Sequence, residues 1–144
     1  MNIKRFWIAV LAVYILAQLT GYLIHMVMLG PTYESEGIKE IFRNMEEMNS
    51  KMWIMYVTDL VWVFFFTYIF VKGYENKGLL EGLKYGIYIG LFIPFVFAFQ
   101  SYAIYPLPYS LIFQWFLYGV IQCVIYGMVV AAIYKPKEVS TSEG

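Results

Sequence analysis

Residues 52–71, MWIMYVTDLVWVFFFTYIFV, form one apolar run interrupted by a single acid, Asp59. About 20 apolar residues in a helix cross the hydrocarbon of a bilayer. Inside it, only helices and closed barrels satisfy every backbone N–H and C=O group. Runs of similar length recur along the chain, which places spans at about 6–29, 52–71, 83–105 and 109–134. With 14% charged residues against 61% hydrophobic ones, the chain has too little charge to cover a soluble surface. Its 144 residues leave no room for a second domain of ordinary size. The pattern predicts an all-α, polytopic, four-helix transmembrane bundle running up-down-up-down over 1–134, with a polar tail over 135–144.

The opening resembles a secretory leader, since Lys4 and Arg5 precede an apolar stretch. That stretch is much longer than the roughly 7–15 residues of a leader's core, so it reads as a retained first span. Basic residues set the expected orientation. Lys4, Arg5, Lys72, Lys77, Lys84, Lys135 and Lys137 lie on the side of the termini, against Lys39, Arg43 and Lys51 on the other. By the positive-inside rule both termini face the cytoplasm.

The first connection, GPTYESEGIKEIFRNMEEMNSK, carries Ile38, Ile41, Phe42, Met45 and Met48 at spacings of three and four. That periodicity predicts a short amphipathic helix over about 35–49, lying on the membrane surface or capping the bundle. The third and fourth spans are joined by SYAIYPLPYS, a short uncharged turn, and so form a tight hairpin.

Small residues recur every fourth position in both arms of that hairpin: Gly82, Gly86 and Gly90 in one, Gly119, Cys123 and Gly127 in the other. Lipid offers no hydrophobic drive between helices, so close backbone approach supplies much of their attraction. The stripes are expected to pack against each other, ahead of packing against another subunit. Pro94 frees the carbonyl near Gly90 and predicts a kink.

The intramembrane polar residues form the candidate site. Counted from the ends of their spans at about 1.5 Å per residue, His25, Asp59, Gln100 and Gln114 fall in the same outer half of the membrane. Tyr14, Gln18, Gly21 and His25 make one stripe of the first span; Met55, Asp59, Trp62 and Phe66 make one of the second. A charged Asp facing lipid costs about 2.5–3.5 kcal/mol on insertion scales, so Asp59 is expected to point inward. There it would accept hydrogen bonds from His25, a glutamine, the Trp62 indole or a tyrosine. The cluster is equally readable as polar glue between helices.

Other chemistries lack their residues. With one histidine and one cysteine, no bis-histidine haem, disulfide or cysteine-rich metal site forms within the chain. Haem ligation by His25 with a methionine, or across a dimer, is left as a poor alternative. Zinc and di-iron sites want more ligands than the interior holds. Ser101 and Ser110 lack a nucleophile elbow. The glycines of GLLEGLKYGIYIG lie at a span, without the strand that a dinucleotide fingerprint requires. No catalytic residue, metal or cofactor is assigned, and the zero net charge favours no nucleic-acid partner.

The segments VKGYENKGLLEGLKYGIYIGL, SYAIYPLPYSL and VVAAIYKP, with MLGPTY and MWIMYVTDLVWVFFFTYIF, resemble an uncharacterised bacterial family of small four-span membrane proteins. The resemblance implies a multi-pass protein of the bacterial inner membrane and brings no activity, cofactor or catalytic residue. The expected function is non-enzymatic: an accessory or interaction protein that binds lipid, a hydrophobic ligand, a larger membrane complex or a second copy of itself. The alternative is a small oligomeric transporter or proton-coupled carrier that uses Asp59 and His25.

Overall fold

A computed structural model describes residues 1–136. The tail expected over 135–144 therefore lies, beyond its first two residues, outside the described residues. The described chain is all-helical: α1 (Ile3–Tyr22) runs into a wider π turn (Leu23–Met28), followed by α2 (Gly30–Tyr33), α3 (Met45–Lys72), α4 (Leu79–Ile104) and α5 (Tyr109–Ile133). Four helices are long and apolar enough to cross a membrane: Ile3–Met28, α3, α4 and α5. The chain is a multi-pass membrane protein whose helices alternate in direction. One end gathers the two termini and the α3–α4 turn; the other, here the loop end, gathers residues 29–44 and 105–108.

Local sequence explains the helix ends. The Asn2 side chain accepts the Arg5 N–H at 3.2 Å and starts α1. Asn44 does the same for α3, accepting the Glu47 N–H at 2.9 Å. Between α3 and α4 the chain turns through Asn76 and Gly78, both at positive φ. The Glu81 carboxylate reaches back to the N–H groups of Glu75 and Lys77 and holds that turn. Glu75 also pairs with Lys77, which lowers the carboxyl pKa and raises that of the amine. The α1 ladder widens where Leu29 N–H bonds the Ile24 carbonyl at 2.8 Å, just before Gly30-Pro31. Proline has no N–H to continue the ladder, so the helix changes direction there.

An independent amphipathic helix over 35–49 does not form. Residues 34–42 run as turns, with Gly37 at φ +82°, and Met45–Asn49 extend α3 instead. Gly37 turns the chain before the predicted face begins, and the Asn44 cap starts a new helix inside it, dividing Ile38, Ile41 and Phe42 from Met45 and Met48. The α3 helix thereby reaches 28 residues, longer than the roughly 20 a bilayer core needs.

The α4–α5 interface is the tightest in the molecule. A Cβ added at Gly82 would strike the Gly127 carbonyl and Ala131; one at Gly86 would strike Cys123 and Val124. At Gly90 it would lie 2.9 Å from Val120 Cα, and at Gly119 2.6 Å from Pro94 Cβ. The two small-residue stripes therefore interlock with each other, and α4 continues through Pro94 with its ring seated over Gly119.

Two cores flank this hairpin. Toward the termini, Phe6, Ala9, Val10 and Val13 of α1 meet Val63, Phe66 and Phe70 of α3 and Cys123, Tyr126 and Val130 of α5. At the loop end, Ile24 and Leu29 meet Ala98, Leu107, Leu111 and Ile112. No α3 residue belongs to this second core. Every buried α3 residue lies at or beyond Val63, so its first half stands apart from α4 and α5.

Candidate functional site

The first half of α3 leans on α1 through polar contacts. Gln18 Nε2 donates to Asp59 Oδ2 at 3.0 Å, and the Tyr14 hydroxyl donates to the Tyr56 carbonyl at 3.3 Å. Asp59 is half-buried, its carboxylate turned to an amide donor rather than to lipid. An ionised carboxylate gains more from such a bond than a neutral acceptor does. One turn further along α3, Trp62 stacks on Phe66 at 4.9 Å between ring centroids and meets Tyr126 edge-on at 6.0 Å.

A second polar knot joins α1 to α5. Thr20 Oγ1 donates to the Leu16 carbonyl at 2.9 Å. Its single proton is thereby used, so the Tyr126 hydroxyl donates to Thr20, at 2.5 Å. Gln122 Nε2 supplies both remaining donors, 2.9 Å from Thr20 Oγ1 and 2.9 Å from the Tyr126 oxygen. This closed triangle was not anticipated from the sequence. Its signal lies in the spacing of Gln122 and Tyr126, four residues apart on one face of a span.

His25 joins neither group. It sits in the π turn, where fewer degrees of rotation per residue carry it off the stripe extrapolated from Tyr14 and Gln18. No hydrogen bond or ion pair links it to Asp59. Its Nδ1 lies 2.8 Å from the Tyr33 hydroxyl, which also receives the Trp115 indole N–H at 2.8 Å. Burial pushes the Tyr33 phenol pKa up, partly opposed by the Trp115 bond. Of the remaining expected site residues, Gln100 is exposed and Gln114 half-buried, and neither has a hydrogen-bond partner among the described residues. The polar groups divide into three separate sets: Asp59 lies at the middle of α3, Tyr126 belongs to the core toward the termini, and His25 sits at the loop end.

Apolar space accompanies these sets along the α3–α4 side. The Tyr85 hydroxyl donates to the Phe66 carbonyl at 2.6 Å and ties the two helices near the termini. Above that tie, a cavity of about 200 Å³ lies between Trp62, Phe65, Phe66 and Ile69 of α3 and Tyr85, Ile89 and Ile93 of α4. At the loop end, a larger cavity of about 390 Å³ lies between Ile41, Phe42, Arg43 and Met48 on one wall and Phe97, Ser101, Tyr105, Leu107 and Trp115 on the other. Arg43 is the one charged residue in either lining. Its guanidinium pairs with Glu47 at 3.4 Å, and both side chains are well exposed. Among the described residues, no three His, Cys, Asp or Glu side chains converge as metal ligands would.

The aromatic walls are continuous. Phe97 stacks on Trp115 at 6.0 Å, Phe42 meets Trp115 edge-on at 6.4 Å, and Tyr33 meets Phe42 edge-on at 5.3 Å. This arrangement is suited to holding a long apolar body and has no group placed as a nucleophile with its base. No family model, curated protein or solved structure matches the chain.

Proposed function

We propose that the protein is a non-enzymatic membrane protein that binds an amphiphilic ligand, a lipid or a lipid-like molecule, from the loop-end half of the bilayer. The ligand enters sideways between α3 and α4, and its apolar part lies against Phe42, Phe97 and Trp115. Its polar part stays at the membrane surface beside Arg43, which favours an anionic group. The observation that carries this reading is the loop-end cavity of about 390 Å³, walled mainly by apolar side chains with Ser101, Tyr105 and the single charge of Arg43, and flanked by a helix that contributes nothing to the core there. Ligand pockets typically occupy about 300–1,000 Å³ with few polar groups, and this one lies within that range. The bias of lysine and arginine places the termini in the cytoplasm and the cavity on the opposite face. The resemblance to a bacterial membrane family supports a bacterial inner membrane as its place. Such a ligand carrier would serve as the accessory subunit of a larger complex or as a homo-oligomer.

The test is native extraction into lipid nanodiscs, followed by mass spectrometry of the molecules retained. One class of amphiphile should be enriched over the bulk membrane, and Ser101→Phe, which fills the cavity, should remove the enrichment. A lipid profile equal to the bulk, or one unchanged by Ser101→Phe, would reject the reading.

A second reading, a proton-coupled carrier, is favoured by one observation: an acid inside an apolar span, bonded to the Gln18 amide. Since His25 bonds elsewhere, Asp59 would carry the proton alone. Substrate-driven acidification of liposomes that disappears in Asp59→Asn would support it; flux that survives the substitution would exclude it.

A further inference from the structure

We infer that His25 is a protonation-controlled latch that fastens the 34–44 connection over the loop-end cavity. The inference rests on the reading of that cavity as a ligand site for its purpose, though not for its mechanism.

The direction of the hydrogen bonds carries the argument. An indole N–H only donates, so the Trp115 bond makes the Tyr33 oxygen an acceptor. The one proton on that oxygen is then free to go to His25 Nδ1, 2.8 Å away. Nδ1 can accept it only as a bare lone pair. A phenol oxygen accepts two hydrogen bonds, so the 2.8 Å contact fits either ring tautomer; the latch assigns the neutral imidazole its proton on Nε2, with Nδ1 accepting from Tyr33. When the ring takes a second proton, Nδ1 becomes a donor. Two hydrogens then meet along one bond, and Tyr33 must turn its proton away or break contact.

Tyr33 is where the connection is held. Its ring lies nearly parallel to His25, at 12° and 6.1 Å between centroids, and meets Phe42 edge-on at 5.3 Å. Phe42 and Trp115 stand on opposite walls of the cavity. A change at the Tyr33 hydroxyl thus acts on both walls. The π turn supports this role, because its ladder is already widened and bends at low cost next to Gly30.

His25 is the one imidazole among the groups that meet here. α2 presents Tyr33, and burial keeps that phenol protonated. α3 presents Asp59, whose carboxylate accepts from Gln18. α4 and α5 meet the turn through Ala98, Leu111 and Ile112, which do not titrate. Histidine is the side chain that ordinarily changes charge between about pH 5 and 8.

The chain holds one histidine, so an imidazole ¹⁵N spectrum of the labelled protein in nanodiscs needs no assignment. Above its titration, the ring should carry its proton on Nε2 with a hydrogen-bonded Nδ1. The Trp115 indole N–H, identified by its loss in Trp115→Phe, should shift with the same midpoint as the imidazole. In Tyr33→Phe the imidazole should still titrate while the indole no longer follows. A neutral ring protonated on Nδ1, or an indole that ignores the titration in the wild type, would overturn the latch.

Motion is read separately, by spin labels at Lys39→Cys and Ser110→Cys with the buried Cys123 left in place. Their separation should lengthen or broaden from pH 8 to pH 5. His25→Gln, whose side-chain oxygen still accepts from Tyr33, should hold the closed distance at both. Equal distances at both pH values in the wild type would refute the latch as a gate. These measurements use no ligand. A pH response without an enriched amphiphile would remove the proposed function and keep the latch; enrichment without a response would do the reverse.

Discussion

The two sides of α4 are built on opposite principles. Toward α5 it presents Gly82, Gly86 and Gly90, and the backbones meet with no side chain between them. Toward α3 it presents Tyr85, Ile89 and Ile93 against Trp62, Phe65 and Phe66, and a cavity of about 200 Å³ is left over. Small residues let helices close along their whole length, because backbone meets backbone at every fourth residue. Large rings fill space only where their shapes agree, and they hold the helices apart where they do not. The same helix is therefore fixed on one side and adaptable on the other. Within one chain, the glycine seam is the frame and the aromatic seam is the loosely packed side.

That contrast can be broken most severely on the glycine side. In Gly86→Leu, the new side chain meets the Cys123 carbonyl and the Val124 backbone, which cannot yield as a flexible side chain would. Overpacking typically costs about 1–3 kcal/mol and occasionally more. The α4–α5 seam should separate, with a large fall in detergent melting temperature or loss of folded protein. A variant that melts like the wild type would show that the stripes are not the frame.

The polar knots come next. Thr20→Val leaves Gln122 and Tyr126 short of one partner each inside the membrane. A buried polar group left unpaired costs roughly 1–3 kcal/mol, although the average intramembrane hydrogen bond contributes only about 0.6 kcal/mol. The fall in stability should be smaller than for Gly86→Leu and should shrink in the double variant Thr20→Val with Gln122→Leu. Additive losses would mean that the triangle is not a unit. Tyr85→Phe, which unties α3 from α4, should cost about 0.5–1.5 kcal/mol and loosen the aromatic seam alone.

Phe65→Ala should have the smallest effect. The ring is 54% exposed and already borders open space, so its removal creates little new cavity inside the protein. Stability should change by less than about 0.5 kcal/mol, as for most substitutions away from packed sites. A loss as large as that of Gly86→Leu would erase the distinction between the two seams.

Much of the frame was readable beforehand because it is periodic. Apolar runs of span length and small residues at every fourth position survive any local irregularity in between. The connection failed as a predicted helix because Asn44 caps a new helix within the apolar pattern, while residues 34–42 run as turns. The candidate site was legible only where the helix was regular. Gln18 and Asp59 were placed on inward stripes and do bond. His25 was placed by the same counting and lies elsewhere, since the π turn changes the rotation per residue. The Thr20, Tyr126 and Gln122 triangle depends on which helices become neighbours, and no single span carries that information.

The contacts at the termini also constrain how the protein is made. The Asn2 N–H reaches the Tyr134 hydroxyl, and Arg5 Nη1 reaches the Ile133 carbonyl. The first of these helices to be made thus finds these partners only at the end of the fourth. Until then it must wait in the bilayer with Asn2 and Arg5 unmatched, so final assembly is a post-insertion event, and truncating the chain before α5 should leave α1 without its seat.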